Sequence, residues 1–228
     1  MSSVAFSVSL GAATVTAQVY RAAPTRINAA LILAHGAGAG QHSSFMTTFA
    51  DALAGRGIDV VTFNFLYTEQ KRRVPDRAPV LEACYRAAID ATRREVESAR
   101  RALFIGGKSM GGRIATQLAA TDPSLPLAGL ILLGYPLHPP GQPDKRRDAH
   151  LPGVKRPMLF VQGSRDTFGT PDELTPIIER LSPRPRIHVV EGGDHSFKVS
   201  RAGPGGQAAI YEQVQQTMAS WIGDMAGG

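Results

Sequence analysis

The sequence predicts an α/β fold, a mostly parallel central sheet with helices packed on both faces. Short β-rich runs alternate along the chain with longer stretches of helical periodicity, which is the signature of βαβ units. Several of the runs are apolar throughout rather than at every second residue, as strands buried on both faces must be. No repeat, low-complexity tract or linker divides the chain, so residues 1–228 read as one domain.

Taken in order, residues 4–9 and 14–20 form an antiparallel opening pair around Gly11. In the second, Val15, Ala17 and Val19 alternate with Thr14, Thr16 and Gln18, the period of a half-buried strand. Ala29–Ala34 is an apolar run ending in a glycine-rich loop, as a buried central strand would. Phe45, Phe49 and Leu53 then recur at helical spacing. Ile58–Phe65 is the next strand. Beyond Pro75 and Pro79 comes a helix of about 20 residues on which Leu81, Cys84 and Ala88 share a face, so Cys84 belongs to the core. Ala102–Ile105, Leu130–Leu133, Met158–Val161 and Ile187–Val190 are further strands. Ile210, Val214 and Trp221 give a closing helix its apolar stripe.

Composition narrows the function classes. Hydrophobic residues at 43% and charged residues at 19% describe an ordinary globular chain rather than a disordered one. A balance of 25 Lys+Arg against 19 Asp+Glu, with a pI near 9.8, raises nucleic acid or an anionic surface as partners. Yet the basic residues fall in short groups (Lys71–Arg73, Arg93-Arg94, Arg100-Arg101, Lys145–Arg147) with acidic neighbours, and aromatics are scarce. Solvated faces explain them, and no nucleic-acid partner is expected. Cys84 stands alone, so no internal disulfide is possible. No apolar run is long enough to span a membrane, and Met1–Phe6 lacks the charged start and apolar core of a secretory signal. The expectation is a cytoplasmic protein without a membrane partner.

In such sheets chemistry gathers in the loops beyond the strands' carboxyl ends. The strand Ala102–Ile105 runs into Gly106-Gly107-Lys108-Ser109-Met110-Gly111-Gly112-Arg113 and then a helical pattern. This is G-x-S-x-G in a strand–turn–helix setting. The glycines allow a turn so sharp that Ser109 is pushed out over the sheet, beside a helix N-terminus that favours negative charge. A phosphate cradle is the rival reading, but G-x-x-x-x-G-K-[ST] fails because Ala102 stands where its first glycine should be.

A serine hydroxyl needs an imidazole to take its proton. Of six histidines, His195 follows the last strand directly, in Gly192-Gly193-Asp194-His195, where it can reach back to Ser109. His188 lies inside an alternating strand. His42, His138 and His150 sit in loops without a supporting pattern. The carboxylate that holds the imidazole is expected from Asp166, at the end of Phe160–Asp166. Asp194 is too close in sequence to orient its own neighbour, and Asp172 and Glu173 read as first-turn helix residues.

His35-Gly36-Ala37-Gly38-Ala39-Gly40 follows the first central strand. Its glycines let backbone N–H groups approach a substrate, so Ala37 and Met110 are the expected oxyanion donors. A dinucleotide fingerprint fails there because Gln41 occupies the position of its last glycine. His35 is expected to brace the loop. Neither a cofactor nor a metal is called for.

These segments, with Phe63-Asn64-Phe65 and Leu133-Gly134-Tyr135-Pro136-Leu137-His138, resemble the α/β-hydrolase proteins grouped with dienelactone hydrolases. The resemblance is strongest to the branch containing a testis-expressed protein and a subunit of the non-specific-lethal chromatin complex. It covers most of the chain and implies the α/β-hydrolase fold with Ser109, Asp166 and His195 as a catalytic triad, in the chain order typical of that fold. True dienelactone hydrolases use a cysteine, so their substrate does not transfer. The resemblance implies an esterase-like serine hydrolase acting on a small acyl compound, or else a non-catalytic interaction module on the same fold.

Only a short proline-rich, basic segment separates the strands at 130–133 and 158–161, where relatives insert a lid. An open pocket follows, rimmed by His35, Tyr67, Tyr135, His138 and Phe197. Lys108 and Arg113 lie near enough to attract an anionic substrate, but a salt bridge or solvated charge is the expected fate of each. Oligomeric state is not legible in the sequence.

Overall fold

A computed structural model describes residues 3–24, 27–201, 203 and 205–227. Readings that rest on Met1 and Ser2 lie outside these residues.

Eight strands form one sheet: β1 (Ser3–Leu10), β2 (Ala13–Tyr20), β3 (Ala30–Ala34), β4 (Asp59–Phe63), β5 (Leu103–Lys108), β6 (Gly129–Leu133), β7 (Met158–Gly163) and β8 (Arg186–Val190). Their spatial order is β1-β2-β4-β3-β5-β6-β7-β8. β1 and β2 form the antiparallel opening hairpin, and β2 pairs antiparallel with β4. All pairings from β4 to β8 are parallel. The carboxyl ends of β3, β5, β6, β7 and β8 therefore open onto one edge.

The helices are α1 (Ser44–Gly55), α2 (Leu66–Glu69), α3 (Ala78–Glu95), α4 (Met110–Thr121), α5 (Pro171–Ile178) and α6 (Gly206–Ala226). The pleat sends alternate residues of each strand to opposite faces. Ala30, Ile32, Leu130 and Leu132 pack with α3, α4 and α5 through Leu81, Tyr85, Ile114, Leu118 and Leu174. Leu31, Leu33, Ile131 and Leu133 pack with α1 and α6 through Phe49, Leu53, Val214, Met218 and Trp221. Burying side chains of this size is worth about 1.5–3 kcal/mol each before the entropy of ordering them.

One strand ends earlier than in the sequence reading. The strand expected to reach Phe65 stops at Phe63, because the next residues are captured by side chains: the Phe65 N–H donates to His35 Nε2 at 3.2 Å, and Asn64 Nδ2 donates to Glu69 at 3.0 Å. That leaves room for the single turn α2. The helix foreshadowed by Asp172 and Glu173 is α5, started by a capping box between Thr170 and Glu173. Cys84 is fully buried as expected, and burial pushes its thiol up to about 12. No helix among the described residues is long and apolar enough to cross a membrane.

Candidate active site

Ser109 sits between β5 and α4 with φ 52° and ψ −116°, a left-handed-side conformation that is costly for a residue with a side chain. Its setting holds it there. The Ser109 N–H donates to Leu133 O on β6 at 2.9 Å, and its carbonyl accepts from Arg113 N at 3.1 Å in the first turn of α4. The turn also passes so close to β3 that a Cβ at Gly107 or Gly111 would overlap the Ala34 carbonyl. Only glycine allows that approach.

The loops after β7 and β8 bring the other two groups over the serine. They are laced together by Ser164 N to Val190 O at 3.0 Å, Arg165 N to Gly193 O at 2.9 Å and Gly192 N to Ser164 Oγ at 2.7 Å. His195 Nε2 stands 2.8 Å from Ser109 Oγ, and its Nδ1 lies 2.8 and 3.0 Å from the two Asp166 carboxylate oxygens. With Nδ1–H donating to the carboxylate, Nε2 is left to accept the serine proton. The Asp166 side chain is fully buried, whereas that of His195 keeps 20% of its surface exposed toward the cavity. Asp194 is occupied elsewhere, accepting from Ser196 N and Lys198 N at 2.7 and 2.9 Å.

The Asp166 carboxylate has further donors: Phe168 N at 2.8 Å and Gln162 Nε2 at 2.8 Å. Gln162 is fully buried, and its Oε1 accepts from Tyr135 N at 2.8 Å. One amide thus ties the carboxylate to the segment after β6. The Phe168 ring stacks on His195, with centroids 4.2 Å apart. Sequence reasoning missed both residues. The available signal was Gln162 itself, a polar residue closing the apolar run Met158–Val161.

A cavity of about 560 Å³ opens over Ser109, lined among others by Gly36, Ala37, Phe45, Met110, Phe168 and His195. Ala37 and Met110 both face it. Among the described residues nothing accepts from either backbone N–H, and that of Met110 is one of the donors that a helix start leaves free.

The five residues expected to rim this cavity do not line it. His35 is fully buried, its Nδ1–H donating to Gly36 O at 2.9 Å while Nε2 accepts from Phe65. It braces the loop, and burial lowers its pKa. Tyr67 is buried with its ring centroid 6.0 Å from that of His35. Tyr135 turns inward, its hydroxyl donating to Arg147 O at 2.7 Å. His138 lies between Pro139 O and Glu173, at 2.8 and 3.1 Å. Phe197 is fully buried behind Phe45. The three aromatic rings gain more from burial than from a wet rim, and the two imidazoles find polar partners inside.

Lys108 and Arg113 correct a second expectation, because neither is a solvated surface charge and, among the described residues, neither forms an ion pair. Both line the cavity, together with Arg147, which sequence reasoning did not single out. Lys108 is 9% exposed, with its ammonium 5.8 Å from the Phe45 ring centroid. Burial pushes its pKa down to about 8, against the opposing pull of Asp166 and Asp194.

A family model described as alpha/beta hydrolase domain matches residues 27–223. Among solved structures, a lid-less α/β serine hydrolase of Xanthomonas campestris superposes with a TM-score of 0.75 at 21% identity, covering 96% of this chain and 94% of that one. A dienelactone hydrolase of Anabaena variabilis gives 0.75 and 21%, covering 97% and 96%. Among curated proteins, a Mycobacterium tuberculosis protein provisionally named a phosphoribosyl transferase is 27% identical over 88% of this chain and 42% of its own length. The chain thus spans less than half the length of that relative.

Proposed function

Starting from a chain that belongs to the α/β-hydrolase domain family, we propose that it is a serine hydrolase cleaving a small carboxylic ester through a Ser109–His195–Asp166 triad. The observation that carries this reading is the unbroken relay from Ser109 Oγ through His195 to a buried carboxylate, with links of 2.8 Å on each side of the imidazole.

In this mechanism Ser109 Oγ bonds to the ester carbonyl carbon as its proton passes to His195 Nε2. The negative charge moves to the carbonyl oxygen, where the Ala37 and Met110 N–H groups receive it. Collapse breaks the bond to the alcohol oxygen, which takes the proton from His195. Water then gives a proton to His195, adds to the acyl carbon and releases the acid, and the proton returns to Ser109. Asp166 holds the imidazole in the required tautomer, and its bonds to Gln162 and Phe168 N hold the carboxylate in place.

The motif residues also support placing the chain beside the branch with the testis-expressed protein and the non-specific-lethal complex subunit. The single, deeply buried Cys84 is in keeping with a cytoplasmic setting. The test is intact-protein mass after treatment with a fluorophosphonate. One adduct is expected on wild type, none on Ser109→Ala, and a rate lower by about 10³-fold or more on His195→Ala. A folded wild type that takes no adduct overturns the hydrolase reading in favour of an interaction module.

A further inference from the structure

The cavity over Ser109 has a charge imbalance that ester cleavage by itself does not require. Lys108, Arg113 and Arg147 line it, against one lining carboxylate outside the buried relay, Asp76. That carboxylate is already engaged with Arg72 at 2.7 Å. Among the described residues none of the three cations has an ion-pair partner, and the buried Nε of Arg113 has no acceptor. The main-chain groups of Arg147 are used, its N–H donating to Leu137 O at 2.8 Å and its carbonyl accepting from Tyr135, so its place in the fold is fixed.

Arg113 stands four residues after Ser109 at the start of α4, which puts the two on one face of the helix. Burial and the like charge of Arg147 both disfavour its protonated form. The nearby His150, bonded to Thr116 at 2.8 Å, is pushed down to about 4 by its burial and then by Arg113. Two half-buried arginines lining one cavity without an ion-pair partner among the described residues are an arrangement that an oxyanion stabilises, and each guanidinium presents a fork of donors to it.

We propose that Arg113 and Arg147 form a seat for a carboxylate or phosphate group carried by the substrate, so that the enzyme selects anionic esters over neutral ones. This rests on the hydrolase reading for the identity of the reacting bond. The seat itself can be tested without turnover.

Two ester pairs each set an anion against its neutral methyl ester, with cleavage followed at the aryl ester: 4-nitrophenyl hemiadipate and 4-acetoxybenzoate. The first places the anion on the acyl side and the second on the leaving group. In at least one pair, kcat/KM for the anion should exceed that for the neutral ester by about 10-fold or more, chiefly through KM. That ratio should fall below about 3 in Arg113→Gln and in Arg147→Gln. Competition by adipate and by inorganic phosphate then separates a carboxylate seat from a phosphate seat.

Turnover without preference in either pair overturns the seat and leaves the hydrolase reading standing. If no ester is turned over, the hydrolase reading falls, and calorimetry on Ser109→Ala with the 4-acetoxybenzoate pair decides the seat. Tighter binding of the anion that Arg113→Gln abolishes supports it, and equal or absent binding of the two esters overturns it.

Discussion

Lys108 carries its charge where it has little water and, among the described residues, no bonded carboxylate. Its folded-state pKa lies near 8 against an ordinary 10.5, so folding with the proton on is penalised. Between those two values the unfolded chain binds more protons than the folded one, and stability rises with pH across that window. Lys108→Met should therefore be more stable than wild type at pH 7, by roughly 1–3 kcal/mol, with a smaller advantage at pH 10. Urea unfolding at the two pH values measures this, and a variant less stable at pH 7 would falsify the account. The candidate triad was legible at this scale because Ser109, Asp166 and His195 each follow an apolar run within a few residues, where local signals suffice. Tyr135 and Phe197 also sit just past strands, but whether a ring turns to the cavity or the core depends on neighbours distant in sequence. Arg147 was hidden for the same reason, since its place depends on how the 134–157 segment folds back.

At the scale of elements, the strand that delivers Ser109 depends on a bond from a helix. The Tyr85 hydroxyl, from α3, accepts from Gly106 N at 2.9 Å and lies 2.6 Å from Gly106 O and 3.1 Å from Ile32 O. It joins β5 to β3 three residues before the serine. Removing it leaves a buried N–H without a partner, so Tyr85→Phe should cost about 1–3 kcal/mol in chemical denaturation despite losing a single atom. Full stability in that variant would mean that Gly106 finds another acceptor. Most elements were legible because continuous apolar runs mark buried strands and helical spacing marks α1 and α3. The end of β4 and the turn α2 were not, since a histidine thirty residues upstream decides them. Strand order was hidden too, because an apolar run shows that a strand is buried and not which strand lies beside it.

For the whole molecule, the basic balance includes several local pairs and one group of cations at the cavity. Arg86 with Asp122, Arg146 with Asp148 and Arg184 with Glu179 are surface partnerships, each worth little to stability. Three cations without an ion-pair partner among the described residues, Lys108, Arg113 and Arg147, line the cavity. The same architecture separates the groups of the proposed triad along the chain. Ser109 and His195 are 86 residues apart, with α4, β6, β7, α5 and β8 between them. Closing so long a loop is slow compared with forming helices, so the imidazole arrives only when the far edge of the sheet has docked. During refolding from urea, fluorophosphonate labelling of Ser109 should lag behind the recovery of helical circular dichroism. Labelling that rises in step with the helices would show the relay assembling early. A chain stalled with β8 undocked presents only an ordinary alcohol, harmless to the esters around it. On the proposed mechanism, reactivity then marks the finished molecule: the fold withholds that chemistry until the last strand is in place.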